Sequence, residues 1–241
     1  MARTELLQAA LNGARSQREH PAVPVTPEQL AADARAVVAE GARSLHFHPR
    51  DADGAESLEP GDVGAALAAV RAAVPGVEVS LSTGLWIAGH RRMELVAAWS
   101  VLPDLVSINL SEPGWEELAA LVSERGIGVE AGLGSVADAE ALATSSLLPA
   151  RVLVEIDDET LDGPAAVQAA GAIDRCVDRA GPRRLHHGMG PATWVVIDAA
   201  AALGRDIRVG LEDVLSLPGG APAPGNAALV AAADRLLPPS A

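Results

Sequence analysis

Residues 26–51, TPEQLAADARAVVAEGARSLHFHPRD, decide the fold because they contain one complete change from helix to strand. Thr26 followed by Pro27 is a typical helix start, and the helical pattern after it stops at Gly41. The apolar run at residues 42–48 then predicts a strand that ends in two histidines. The rest of the chain repeats this alternation.

Short apolar segments alternate with helical patterns from end to end. The predicted strands are residues 6–11, 42–48, 77–82, 105–110, 128–131, 152–156, 184–187 and 207–210. The predicted helices are residues 27–40, 60–73, 90–100, 115–125, 136–144, 164–180, 192–203 and 226–237. About eight strand–helix units without a linker predict an α/β fold, a (β/α)8 TIM barrel that residues 1–241 form as a single domain. An open doubly wound sheet is the alternative.

Composition restricts the classes of partner. The 241 residues include 49% hydrophobic side chains but one Phe and no Tyr, so the core is built from aliphatic residues. A net charge of −14 argues against binding to nucleic acids and to anionic membranes. The single cysteine, Cys176, excludes an internal disulfide framework. Because no long apolar stretch follows Met1 or occurs elsewhere, we expect a soluble cytoplasmic protein.

The histidine pair His46 and His48 is the strongest local signal. Side chains two residues apart in a strand point to the same side, so the two imidazoles converge. Neutral imidazole nitrogens are good ligands for divalent metals, and the pair predicts part of a metal site. A pair of ordinary surface histidines at a strand terminus is the alternative.

Other polar residues also follow the predicted strands. In a TIM barrel, catalytic groups come from the carboxyl ends of several strands. The residues at these positions are Ser82, Thr83, Asn109, Glu130, His186, His187, Arg208, Glu212 and Asp213. Their gathering at one rim of the barrel predicts an active site there.

The segment from Arg208 to Asp213 contains three charged residues with candidate roles in catalysis. Arg208 is expected to point into the barrel mouth, where it could hold a carboxylate or an oxyanion, or simply pair with Asp213. Glu212 could complete a metal site with the histidines, or Glu212 and Asp213 could be an acidic pair at a helix start. A metal with two imidazoles and one carboxylate keeps open positions where a substrate carbonyl could be polarised. Asp213 could then act as a general base.

Together these segments resemble the β-keto acid cleavage enzyme family. The matches keep their order over nearly the whole chain. They are residues 21–28, the run His46-Phe47-His48-Pro49-Arg50-Asp51 with Asp53 and Gly54, Ser82-Thr83-Gly84, Ser107-Ile108-Asn109-Leu110, Glu130, residues 208–213 and Asn226.

The resemblance implies a function and a set of roles. It implies a (β/α)8 barrel with a bound Zn²⁺, a retro-Claisen reaction of a β-keto acid with acetyl-CoA, and release of acetoacetate and a new acyl-CoA. The implied metal ligands are His46, His48 and Glu212; the implied catalytic residues are Arg208, Asp213, Ser82 and Glu130; the implied substrate-binding residues are Thr83, Gly84, Ser107 and Asn109. A homo-oligomer, such as a tetramer, is also implied. A class II aldolase-like metal-dependent lyase without CoA and a non-catalytic barrel that binds a small acid are the alternatives.

Overall fold

The computed structural model describes residues 5–177 and 181–238, and these contain one closed parallel barrel. Its strands are β1 (Leu7–Ala10), β2 (Ser44–Phe47), β3 (Glu78–Ser82), β4 (Leu105–Asn109), β5 (Gly128–Leu133), β6 (Arg151–Ile156), β7 (Arg183–Gly188) and β8 (Asp206–Val209). Each strand pairs in parallel with the next one, and β8 pairs with β1 to close the ring. The predicted (β/α)8 barrel is confirmed, and the open sheet is wrong.

Helices surround the barrel and follow the strands in alternation. They are α1 (Pro27–Ala39), α2 (Pro60–Ala73), α3 (Leu85–Ala88), α4 (Arg92–Ala97), α5 (Trp115–Glu124), α6 (Val136–Thr144), α7 (Gly163–Cys176), α8 (Ala192–Ala202) and α9 (Asn226–Asp234). The Thr26 side chain caps α1 as predicted, since it accepts from the backbone N–H of Gln29 while the Gln29 side chain accepts from that of Thr26. Across the described ranges, no helix has both the length and the apolar character to cross a bilayer.

The chain differs from the prediction most between β3 and β4. Residues 90–100 were predicted as one helix, but the helix α4 covers only Arg92–Ala97, and a 3₁₀ turn at Gly89–Arg91 precedes it. Before that turn the chain forms α3, which was not predicted. Gly89 has a φ of +55°, a conformation that interrupts a helix, so α3 ends before it. Trp86 of α3 lines the cavity at the mouth of the barrel.

The end of α7 is also misplaced by the prediction. The helix stops at Cys176, because Val177 adopts an extended backbone and its carbonyl accepts a 2.8 Å hydrogen bond from Arg184 Nη2. The remaining residues of the predicted helix, 178–180, lie outside the described residues. Cys176 itself is a free, exposed thiol at the last helical position.

Polar side chains fill the lower part of the barrel interior. We call this set the interior network; its members are Gln8, Ser44, Glu78, Ser80, Glu130 and Arg151. Arg151 Nε lies 2.5 Å from Glu130 Oε1, and Gln8 Nε2 donates to the same oxygen at 2.8 Å. Burial of this pair costs solvation free energy, which the hydrogen bonds from three other strands offset. The network joins β1, β2, β3, β5 and β6 across the interior.

Glu130 was predicted at the end of its strand, and this placement is wrong. The strand β5 continues to Leu133, so Glu130 is its third residue and lies inside the barrel, fully buried. The predicted strand stopped at Ala131, directly before Gly132, whereas in the structure this glycine lies within the strand. Glu130 belongs to the interior network and does not line the open mouth.

Candidate metal centre

The two histidines meet at the mouth of the barrel as predicted. His46 is the third residue of β2, and His48 follows the last strand residue, so both side chains point inwards. Their ring centroids lie 5.3 Å apart with the planes nearly perpendicular, at 82°. Both side chains are almost completely buried. They do not form a surface pair.

Asn12 fixes the backbone of His48 just beyond the strand. Its side-chain oxygen accepts from the His48 N–H at 2.9 Å, and its amide nitrogen donates to the His48 carbonyl at 2.9 Å. The same amide nitrogen also donates to the Pro24 carbonyl at 3.0 Å. This fully buried asparagine therefore replaces the missing strand pairing at the position where His48 must be held.

Two glycines allow Glu212 to reach the histidines. A Cβ at Gly210 would lie 1.8 Å from the Ala10 carbonyl oxygen, so only glycine lets the chain after β8 pass this close to β1. A Cβ at Gly13 would lie 2.3 Å from Glu212 Cγ, and Gly13 also has a φ of +52°. The loop after β8 therefore crosses above β1 and carries the Glu212 carboxylate to β2.

Asn226 holds this crossing loop in place. Its side-chain oxygen accepts from the Leu211 N–H at 2.6 Å, and its amide nitrogen donates to the Leu11 carbonyl at 2.7 Å. Since Leu11 follows β1 and Leu211 follows β8, one buried side chain connects the ends of the two strands. The first residue of α9 thus positions Glu212 without touching it.

The donor set formed by His46, His48 and Glu212 fits a divalent cation. His46 Nε2 lies 3.9 Å from Glu212 Oε2, and His48 Nε2 lies 3.6 Å from Glu212 Oε1. One ligand atom from each residue falls within 4.8 Å of the others. Glu212 Oε2 is buried without a hydrogen-bond partner, which is costly unless a bound group completes it. Two imidazoles and one carboxylate are a typical ligand set for catalytic zinc.

The other ring nitrogen of each histidine contacts a supporting side chain. His46 Nδ1 lies 3.3 Å from Ser80 Oγ, and Ser80 in turn donates a short hydrogen bond to Glu130. His48 Nδ1 lies 2.5 Å from Glu56 Oε1. Partners on Nδ1 fix the ring orientation and leave both Nε2 atoms facing Glu212, as in metal-binding histidines generally. Glu130 therefore supports His46 from below, rather than contacting a substrate.

Burial and charge set the protonation of the three groups. Burial lowers the pKa of His46 to about 3, which keeps its imidazole neutral and available as a ligand. Burial also opposes protonation of His48, but the Glu212 and Glu56 carboxylates outweigh it and raise the pKa of His48. Although burial opposes ionisation of Glu212, Arg208 and the two histidines hold its pKa well below the usual range. The carboxylate is therefore anionic at neutral pH.

Arg208 points into the mouth as predicted and contacts both acidic residues of its loop. Its Nη2 donates to Glu212 Oε1 and, at 2.9 Å, to Asp213 Oδ1, while Nε lies 3.5 Å from Asp213 Oδ2. Asp213 is 0% exposed and has no surface in the cavity. The prediction of a helix-start acidic pair is wrong, since these carboxylates face Arg208 and the histidines and no helix starts there.

His187 lies beside this pair. Its Nδ1 is 3.5 Å from Asp213 Oδ1, and its Nε2 is 3.4 Å from Glu155 Oε1. Burial and Arg208 oppose protonation, but the Asp213 and Glu155 carboxylates raise the pKa of His187 to about 9. Its neighbour in sequence, His186, points away from the mouth and contacts Asp174 of α7 at 3.0 Å. Only one of the two predicted rim histidines therefore reaches the site.

A cavity of about 390 Å³ opens at the mouth and is large enough for a small acid. Its polar lining includes Arg15, Glu19, His46, His48, Ser82, Ser107, Asn109, Glu155, Asp157, Glu159, His187, Arg208 and Glu212. The predicted positions of Ser82, Ser107 and Asn109 at the mouth agree with this lining. One wall is acidic, because Glu155, Asp157 and Glu159 follow one another along and beyond β6.

Two of the predicted substrate-binding residues do not line the cavity. Thr83 is buried, and its Oγ1 donates to the Ser107 carbonyl at 2.6 Å. A Cβ at Gly84 would lie 2.3 Å from ring atoms of Trp86, so this glycine makes room for the indole. Both residues lie behind the cavity wall: the Thr83 hydroxyl is used in a contact with β4, and Gly84 leaves space for the indole of Trp86.

Several residues of the site were not predicted. Asn12 and Glu56 carry no motif, since a single polar residue in a loop gives no sign of where its side chain points. Trp86 is 56% exposed and lines the cavity. Trp194 does not line it; its Nε1 donates to the Ser216 carbonyl at 2.9 Å.

The chain is similar to a known protein family and to two curated proteins. The sequence profile of the beta-keto acid cleavage enzymes matches residues 6–238. A 3-keto-5-aminohexanoate cleavage enzyme from Fusobacterium nucleatum is 30% identical over 105 residues, which are 43% of this chain and 38% of that protein. A 3-oxoadipate:acetyl-CoA acetyltransferase from Cupriavidus necator is 27% identical over 252 residues, covering 93% of this chain and 85% of that protein.

A solved structure shares the barrel. The ternary complex of ObcA with a C4-CoA adduct and oxalate superposes with a TM-score of 0.71 at 18% identity. The superposition covers 89% of this chain and 63% of the ObcA chain. The present chain thus spans less than two thirds of the first curated relative and of ObcA, and at this identity the structural likeness supports the fold alone.

Proposed function

The chain belongs to the beta-keto acid cleavage enzyme family, and on that premise we propose that it is a metal-dependent acyltransferase. The proposed reaction converts a β-keto acid and acetyl-CoA into acetoacetate and a new acyl-CoA. The observation that carries this proposal is the convergence of His46, His48 and Glu212 beside Arg208 on one cavity at the carboxyl ends of the strands. The names of the two curated relatives, which act on β-keto acids, support the substrate class.

The metal site is assigned to His46, His48 and Glu212, with Zn²⁺ as the proposed ion. Two imidazoles and a carboxylate suit zinc, and three protein ligands leave a position for a substrate. A cation held there would polarise the keto oxygen of the β-keto acid. The buried Glu212 Oε2, which has no hydrogen-bond partner among residues 5–177 and 181–238, supports this assignment.

Arg208 is proposed to bind negative charge on the substrate. Its guanidinium lines the cavity, and hydrogen bonds from Nε and Nη2 to Asp213 fix its orientation. A pre-oriented guanidinium stabilises a carboxylate in the ground state and an oxyanion as it develops. Ser82 and Asn109, which also line the cavity, are proposed to orient the same substrate by hydrogen bonds.

The reaction requires removal of a proton from C2 of the β-keto acid. The C2 carbanion then attacks the thioester carbonyl carbon of acetyl-CoA, and the C–S bond breaks to release the coenzyme A thiolate. The thiolate attacks the original keto carbon, the old C2–C3 bond breaks to give the new acyl-CoA, and the resulting carbanion takes back the proton to give acetoacetate. Asp213 is our proposed base; because it has no surface in the cavity, it would take the proton through Arg208, which lines the cavity and whose Nη2 lies 2.9 Å from Asp213 Oδ1. Asp157 is a second candidate because it lines the cavity; desolvation by the wall and then the Glu155 carboxylate raise the pKa of Asp157 to about 6.

The proposal is tested with a panel of β-keto acids, assayed for acetoacetate release with and without acetyl-CoA. We expect product only when acetyl-CoA and a divalent metal are both present. Cleavage of the panel without acetyl-CoA would instead favour the aldolase-like lyase. Absence of any product, together with tight binding of a β-keto acid, would favour a non-catalytic binding barrel.

A further inference from the structure

The loop after β2 returns the Glu56 side chain to His48. Asp51 Oδ1 accepts from the backbone N–H groups of Asp53 and Ala55, both at 2.9 Å, and Gly54 has a φ of +83°. The Asp51 N–H also donates to the Ala55 carbonyl at 2.9 Å. These contacts make a tight reversal, and Glu56 therefore lies opposite the beginning of the loop.

Glu56 contacts two residues that line the mouth. Its Oε1 lies 2.5 Å from His48 Nδ1. The indole N–H of Trp86 donates to both Glu56 oxygens, with 3.2 Å between Nε1 and each of them. The rings of His48 and Trp86 lie 6.4 Å apart between centroids. One carboxylate thus joins a proposed metal ligand to an aromatic side chain of the cavity wall.

Trp86 is unusually exposed for a residue with such fixed contacts. Of the other three tryptophans, Trp99 and Trp115 are buried and Trp194 is half-buried, whereas Trp86 is 56% exposed. A side chain at Gly84 would collide with its ring, so the sequence keeps space for the indole to fold back over α3. An exposed aromatic face, held in one orientation at a cavity, is a surface that a bound substrate would cover.

We propose that Glu56 is a positioning residue that couples His48 to Trp86, so that metal binding and the shape of the substrate pocket depend on the same carboxylate. The inference rests on the proposed function. By accepting from Nδ1–H, Glu56 keeps His48 Nε2 directed at Glu212. By accepting from the indole, it holds Trp86 as the wall of the pocket. A cation on Nε2 makes Nδ1–H a stronger donor, which tightens the whole bridge.

Metal affinity is the first test. Zn²⁺ affinity is measured by competition with a chromophoric chelator for the wild type, Glu56→Ala, Glu56→Gln and Trp86→Phe. Glu59→Gln is the matched control, because Glu59 lies on the same segment but is exposed and pairs with Arg91. We expect roughly 10- to 100-fold weaker binding for Glu56→Ala. Glu56→Gln should lose less because its amide oxygen still accepts from His48, and the control should match the wild type.

Trp86 supplies a second readout. Trp86→Phe keeps a ring but loses the indole N–H, so we expect near-normal Zn²⁺ affinity and an increased KM for the β-keto acid with kcat largely retained. Zn²⁺ should also reduce the quenching of tryptophan fluorescence by acrylamide in the wild type, and this protection should be absent from Glu56→Ala. If Glu56 served only folding, a folded Glu56→Ala variant would keep both the Zn²⁺ affinity and the Zn²⁺-dependent protection from quenching.

The outcomes separate the bridge from the reaction. Wild-type Zn²⁺ binding that Glu56→Ala retains in full would overturn the bridge alone. If Glu56→Ala binds Zn²⁺ more weakly than the wild type, but the wild type releases no acetoacetate from any β-keto acid, the bridge is supported and the proposed reaction is overturned. A wild-type chain that binds no divalent ion would overturn both.

Discussion

The barrel carries two buried polar clusters that touch through Ser80, and they differ in how far their hydrogen bonds are completed. In the interior network, the charges of Arg151 and Glu130 meet each other and further partners, and Gln8 Oε1 is the one buried atom of that set without a hydrogen bond. At the mouth, Glu212 Oε2 and both ring nitrogens of His187 lack hydrogen bonds. A network whose polar groups have hydrogen-bond partners within the protein stabilises the fold. A cluster with buried groups that lack partners can instead gain them from a ligand.

The largest expected effect is on stability, from Arg151→Met in the interior network. The substitution leaves the fully buried Glu130 carboxylate without its cation, a loss worth about 3–5 kcal/mol for buried pairs. Chemical denaturation monitored by circular dichroism measures the free energy of unfolding. A loss of less than about 1 kcal/mol, the value expected for an exposed pair, would contradict the claim that the interior network stabilises the fold.

A double variant controls for the volume change. Adding Glu130→Gln to Arg151→Met removes the unpaired charge, so part of the lost stability should return. Purely additive losses would mean that the ion pair is not what the interior network contributes.

The sequence was sufficient for the barrel and for the convergence of His46 and His48 because both depend on short-range regularities. Glu212 was left open by the local pattern and was chosen only through the family resemblance; its role as a ligand stays a prediction. Period-two alternation places His46 and His48 on one side, and strand ends in a parallel barrel all point to one rim. Glu130 was misplaced because a strand boundary shifted by two residues turns an interior residue into a rim residue. The contacts of Asn12 and Glu56 depend on loop paths, which short sequence patterns do not determine.

The next effect is on turnover at the mouth, where Asp213→Asn is expected to reduce kcat by roughly 10²-fold or more while Zn²⁺ binding is kept. Asp157→Asn is the matched variant, since Asp157 lines the same cavity but does not pair with Arg208. Steady-state kinetics at a fixed metal concentration compare the two. A larger loss in Asp157→Asn than in Asp213→Asn would reassign the base to Asp157.

Arg208→Lys should have a somewhat smaller effect. A lysine keeps the charge but cannot contact Asp213 and the substrate with one planar fork. Loss of one charge-assisted hydrogen bond, worth about 1.5–3 kcal/mol, corresponds to a reduction of kcat/KM by about 10-fold or more. Unchanged kcat/KM would show that Arg208 acts only as a counter-charge.

The smallest effect concerns the pH dependence of stability. Because the folded-state pKa of His187 is raised from 6.5 to about 9, its stabilising contribution is complete below pH 6.5 and is lost as the pH rises through about 9. The difference in unfolding free energy between the wild type and His187→Gln should therefore shrink over that range. Urea denaturation at a series of pH values measures it. A difference for His187→Gln that stays constant over this range would contradict the assigned charge.

The most direct test of the central claim is calorimetric titration of Zn²⁺ into the metal-free chain and into His46→Ala, His48→Ala and Glu212→Ala. We predict one ion per wild-type chain and loss of this binding in each variant, with circular dichroism spectra that remain those of the folded barrel. A wild-type chain that binds no ion, or three folded variants that bind as tightly as the wild type, would contradict a metal centre at the mouth of this barrel.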